Sequence, residues 1–246
     1  MSGHSKWSTI KRQKGTADIK RGQRFTKLAN AITIAVKQGG GIGDPQTNPR
    51  LRITIDAARA LNMPKDNIDR AITRGQDKKG GGMEELTYEG FTSGGVSVVV
   101  EVATDNPTRT TSEVKNLFNK AGASFGQPGS TSYQFRRVGQ IVVSKDKSFD
   151  EIFSIAVDSG ATDLEEVGEE VFIYTEPSSI SQVKDALSQK GLTVTDVSFA
   201  LKPTIKVSVA DKATYDKILN FLASLEEMDD VQKVYSNLEV HSISSG

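Results

Sequence analysis

Phe25, Leu28, Ala29, Ile32, Ala35 and Val36 recur at the spacing of a single helical face and predict a helix from about Asp18 to Gln38. The run "GGGIGDPQ" ends it, and "NPRLR" starts another, with Asn48 as cap and Pro49 at the first helical position. In that second helix Leu51, Ile55, Ala58 and Leu61 line one face, with Arg52, Asp56 and Arg59 on the other. "MPKDNIDRAITRG" repeats the device: Pro64 opens, Ile68 and Ile72 pack, Arg70 and Arg74 face outward, and Gly75 closes. These patterns predict a small helical domain.

"GQDKKGGGM" follows, glycine-rich and charged, as a flexible hinge is written. Beyond it the periods mix. "VSVVVEVAT" reads as a buried strand, "NPTRTTSEVKNLFNKAG" as a helix capped by Asn106, and "SYQF" as a short alternating strand. From "QIVVS" to "VTDVSFAL" the order is βαββαβ, a complete ferredoxin-like unit in residues 138–201. After Pro203, "TIKVSVA", a helix through Leu222 and Leu225, and "VQKVYSNLEV" read as βαβ. The βαβ pieces on either side of the complete unit add to a second one. The fold class is therefore α+β, in three parts: a helical domain with its arm and hinge at 1–79, a discontinuous α+β domain at 80–137 and 202–246, and an inserted ferredoxin-like domain at 138–201. One continuous sheet is the alternative.

The net charge of zero over 246 residues hides a division. Through Lys79 there are 17 bases against 6 acids, a net +11, which leaves −11 for the remainder. A cationic module that meets a polyanion, joined to an acidic body that does not, fits this split. Mutual attraction of two domains across a flexible joint fits it as well. With no cysteine, disulfides and thiolate zinc sites are excluded. No secretory or membrane-spanning segment is written in the chain, and the expected location is the cytoplasm.

Catalytic chemistry finds little support. The two histidines, His4 and His241, stand near the ends, and no phosphate-binding glycine loop is present. Asp163, Glu165, Glu166, Glu169 and Glu170 fall on two adjoining short strands, where a solvated hairpin surface is the better reading than a metal or acid–base site. The expectation is a non-enzymatic protein without metal or cofactor.

The arm "HSKWSTIKRQKG" surrounds Trp7, the single tryptophan, with Lys6, Lys11, Arg12 and Lys14. Ammonium and guanidinium groups neutralise phosphates, and an indole stacks on a base. Trp7 and Ile10 folded back as a hydrophobic lid is the competing reading. In the first helix Lys20, Arg24 and Lys27 recur on a flank of the apolar stripe, as a row of cations.

"MSGHSKWSTIKRQKGTADIKRGQRFTKLANAI", "NPRLR", "MPKDNIDRAITRG", "YEGFTSGGVSVVVEVATDN" with "RTTSEV", and "YQFRRVGQIVV" together resemble the YebC/PmpR family, whose mitochondrial members include the translational activator of cytochrome c oxidase. The resemblance spans nearly the whole chain. It implies a helical domain followed by two α+β domains, the third inserted in the second, and a non-enzymatic role in gene expression. Family members are commonly labelled DNA-binding transcriptional regulators, and others are understood as translation factors at the ribosome. Carried onto this sequence, the matching positions are His4, Ser5, Lys6, Trp7, Lys11, Lys14, Lys20, Lys27, Arg50, Arg52, Lys65 and Arg70.

Two further features sit in the acidic half. Asn106 and Arg109 stand where free helical N–H groups and a guanidinium would take an anion; a capped helix with Arg109 on a local carboxylate is the alternative. Tyr133 and Phe135 share an alternating face, but no RNA-recognition motif accompanies them, and both are expected in the core. The favoured expectation is a monomeric nucleic-acid-binding regulator that partners ribosomal RNA and the ribosome. A DNA-binding transcriptional regulator is the alternative. A protein-only scaffold has no use for +11 on 79 residues.

Overall fold

The structure is a computed structural model that describes residues 21–77 and 82–239. Three helices form the head: α1 (Arg21–Gln38), α2 (Pro49–Ala60) and α3 (Lys65–Gln76). Their apolar stripes converge as the spacing predicts, with Leu28, Ile32 and Val36 packed on Leu51, Ile55, Ala58, Ile68 and Ala71. Asn48 works at two helix ends. Its Oδ1 accepts the Leu51 N–H, and its Nδ2 donates to the carbonyls of Ala35 and Ile42, tying the end of α1 to the start of α2.

Gly75 does not close α3. It lies buried inside the helix, which continues to Gln76. A Cβ there would stand 2.6 Å from Val36 Cβ and 2.7 Å from the Thr33 carbonyl, so hydrogen at this position is what lets α3 approach α1.

The body holds two four-stranded antiparallel sheets. The first is built from β1 (Glu84–Phe91), β2 (Ser97–Thr104), β3 (Ser124–Phe125) and, from far along the chain, β8 (Val231–Ser236), in the order β3-β1-β2-β8. It carries α4 (Pro107–Ala121) and α7 (Lys212–Glu226). The second comes from the intervening segment: β4 (Phe135–Ser144), β5 (Asp163–Val167), β6 (Glu170–Thr175) and β7 (Val194–Pro203), with α5 (Phe149–Asp158) and α6 (Ile180–Gln189). Its order, β5-β6-β4-β7, is the ferredoxin-like one. The first sheet has the same spatial arrangement with its chain order permuted, because β1 occupies the position that β6 occupies in the second.

Three strand expectations are corrected here. β1 was not anticipated as a strand; it joins β2 through a tight turn at Thr92–Val96, and this local hairpin takes the slot a distant strand would otherwise fill. "SYQF" is a short 3-10 turn, Ser132–Gln134, that leads directly into the ten-residue β4. "TIKVSVA" forms no strand and supplies a single bridge, Val207 to Leu238, just beyond the end of β8.

Strand alternation divides the second sheet between two cores. Ile141, Val143, Val171 and Ile173 face α5 and α6, while Val138, Val142, Phe172 and Tyr174 join the core of the first sheet. One of these two cores is thus shared by both sheets. The head adds a small contact of its own, Ile34 against Met83 and Ala103.

Candidate nucleic-acid interface

The head's basic residues divide into two groups with opposite destinations. Lys27 turns inward: its Nζ donates to the Glu226 carbonyl at the end of α7. Burial of the ammonium pushes its pKa down to about 8, against the attraction of Glu226, Asp229 and Glu227. Lys27 is therefore a tether to the body, not a member of an outward row. Arg50 Nη2 lies 3.0 Å from Glu85, Lys37 Nζ donates to the Met83 carbonyl at 3.1 Å, and Arg74 stands 3.6 Å from Asp105. Helical spacing places a residue on a face, but does not say what that face meets, so Lys37 and Arg74 gave no sign of this role.

The second group is solvent-exposed, with Arg52 at the mouth of a cleft that α2 shares with α6 and β7 of the body. Arg52 and Arg59 are exposed on α2, on either side of Asp56, which stands 3.9 Å from Arg59. Lys65 and Arg70 are exposed on α3. Arg70 is held in position by its own helix, with Nε donating to the Asp66 carbonyl and Nη2 to Asn67 Oδ1. Guanidinium forks and an ammonium on two helices that both pack against α1 can neutralise phosphates whose spacing they do not dictate. Arg24 is half-buried on α1, and its Nε finds no hydrogen-bond partner among the described residues. His4, Ser5, Lys6, Trp7, Lys11, Arg12, Lys14 and Lys20 lie outside the described residues.

At Asn106 and Arg109 the chain supplies its own anion. Asn106 Oδ1 accepts the Arg109 N–H, and the Arg109 guanidinium lies 2.8 Å from Asp230 and 3.5 Å from Asp105. Burial pushes the Asp230 carboxyl up, but hydrogen bonds from Thr110, Arg109 and Thr104 outweigh it and hold the pKa below the usual value. A protein carboxylate thus fills the position expected for an external ion.

Acids along the β5–β6 hairpin are likewise engaged by lysines: Asp163 with Lys202, Glu165 with Lys206 and Glu166 with Lys145. Among the described residues, no group of three or more His, Asp or Glu side chains is arranged to hold a metal ion. The expectation for Tyr133 is overturned. Phe135 is in the core, but Tyr133 is 75% exposed. The turn residues of "GQPGSTS" ahead of it were the available sign that no strand begins there.

Comparison with known proteins agrees with this architecture. The description "TACO1/YebC protein N-terminal domain" matches residues 5–78, and "TACO1/YebC second and third domain" matches residues 83–238. A relative from Trichlorobacter lovleyi, named a probable transcriptional regulatory protein, is 45% identical over 98% of this chain and 96% of its own. One from Thermotoga maritima with the same name is 45% identical over 98% and 94%. The crystal structure of a conserved hypothetical protein from Aquifex aeolicus superposes with a TM-score of 0.86 at 39% identity, covering 94% of this chain and 96% of that one. Since the two matched spans take in the helical head and both sheets of the body, the chain belongs to the TACO1/YebC family.

Proposed function

We propose that the protein is a non-enzymatic regulator of gene expression that binds RNA at the ribosome, with the outward face of the head as its main contact. The observation that carries this reading is the division of the head's cations. Lys27, Lys37, Arg50 and Arg74 are engaged by the body, while Arg52, Arg59, Lys65 and Arg70 face solvent. The head's free charge is thus displayed beside a body of net −11. A long straight duplex laid on the head would run past those acids and be repelled, whereas folded RNA offers phosphates that curve away. The arm, with Lys6, Lys11, Arg12 and Lys14 around Trp7, extends the same chemistry.

The relatives' name supports the second reading, a transcriptional regulator on DNA. Sedimentation with ribosomes and binding to promoter DNA separate the two. Under the RNA reading, full-length protein co-sediments with ribosomes in low salt and releases as salt rises. The triple variant Arg52→Ala, Lys65→Ala, Arg70→Ala weakens the association and lowers the log–log salt slope by about 0.7 per lost single-strand contact. Protection of one defined promoter at physiological salt, with no ribosome association, would overturn the reading in favour of transcription.

A further inference from the structure

Tyr133 is a large aromatic side chain 75% exposed, on a segment that the fold holds unusually firmly. On its N-terminal side stands Glu89, a side chain with 5% exposure. Its carboxylate accepts four hydrogen bonds from the turn: the N–H groups of Gly129, Thr131 and Ser132, and the Thr131 hydroxyl. On the other side Gln134 Oε1 accepts from Ser97 Oγ and Asn237 Nδ2, and its backbone carbonyl accepts from Thr204. Gln134 Nε2 then donates to the Tyr133 hydroxyl at 3.2 Å, which orients the ring from the core outward.

Ile205, 64% exposed, follows Thr204 and so lies beside the same turn. The two segments that meet here, 131–137 and 201–207, carry Arg136, Arg137, Lys202 and Lys206 and no acid, in a body that is otherwise strongly acidic. Asp163 and Glu165 engage the two lysines, while Arg136 and Arg137 remain exposed.

We infer that this pinned turn is a second nucleic-acid contact, on the body, in which Tyr133 stacks on an unpaired RNA base and Arg136 meets the adjoining phosphate. A rigid, exposed ring loses little freedom on stacking, and an aromatic face accepts any base. A paired duplex offers no free base face, so the contact selects single-stranded or looped nucleic acid, which on the reading of the head is RNA. The inference rests on the RNA reading of the head and adds a separate site to it.

The test is the affinity of the full-length protein for an unstructured RNA of about 20 nucleotides, followed by fluorescence anisotropy across a salt series. Tyr133→Ala is expected to raise Kd on the order of ten-fold with an unchanged salt slope, since stacking is uncharged, and with an unchanged melting temperature. Tyr133→Phe keeps the ring and stays within about two-fold. Arg136→Ala lowers the slope. Equal affinity of wild type and Tyr133→Ala overturns the inference. So does a loss of ribosome co-sedimentation without a loss of RNA affinity, which would assign the patch to a protein partner. The head triple variant separates the two levels: if it loses RNA affinity while Tyr133→Ala does not, the stacking contact alone fails. If wild type binds no RNA, the head reading and this contact fail together.

Discussion

Lys27 shows how much one side chain's surroundings change its meaning. A lysine on the flank of a basic helix looks like a phosphate ligand, yet here its ammonium is buried on a carbonyl and its pKa falls from 10.5 to about 8. Between those values the unfolded chain binds more protons than the folded one, so stability rises with pH across that window. Lys27→Met should abolish the rise. Urea denaturation from pH 7 to 10 checks this, and a rise that persists in the variant would count against it. At Gly75 the decisive quantity is space. Gly75→Ala drives a methyl group into Val36 and the Thr33 carbonyl, and should cost about 1–3 kcal/mol through displacement of α3, read as a lowered melting temperature.

At the scale of elements, caps and turns decide where chain segments begin. Asn48 and Asn106 act as the sequence pattern predicts because a cap is encoded within four residues. The turn before Tyr133 is marked locally by Gly126, Pro128 and Gly129, but it is held by Glu89, about 40 residues away, on β1. Burial pushes the Glu89 carboxyl up, and the N–H groups of Thr131, Gly129 and Ser132 outweigh it, so the pKa is lowered. Its contribution to stability is present above the ordinary glutamate value and is lost as pH falls through the depressed one. Glu89→Gln should therefore cost about 1–3 kcal/mol at pH 7, since an amide has one acceptor oxygen where the carboxylate has two. Faster hydrogen exchange at Gly129, Thr131 and Ser132 would locate the loss in the turn, whereas unchanged protection there would contradict the role of Glu89.

For the whole molecule, the +11 and −11 halves attract each other across contacts that the structure identifies. Glu85 engages Arg50 and Gln38, and Asp105 engages Arg74. Body carboxylates thus compete with phosphate for the head's guanidinium groups. Glu85→Gln with Asp105→Asn should tighten non-specific nucleic-acid binding at low salt and steepen its salt dependence by about one contact per released arginine. An unchanged slope would mean that Arg50 and Arg74 stay unavailable to phosphate even without their carboxylate partners. Where head and sheets meet, a cleft of about 300 Å³ is lined by Ile34, Arg50, Glu101, Phe199, Gln232 and Lys233. The Gln232 amide there has no hydrogen-bond partner among the described residues.

Much of the fold was legible in the sequence because its information is local. The apolar stripes of α1, α2 and α3, the two asparagine caps, the βαββαβ order of the inserted unit and the division of charge each lie within a short stretch or a simple count. Tertiary structure alone decided which cations meet the body, which hairpin strand fills the first sheet, and which side of the chain Tyr133 faces. Each of these depends on contacts between residues far apart in the chain, where periodicity assigns a face but the packed neighbour determines what that face touches.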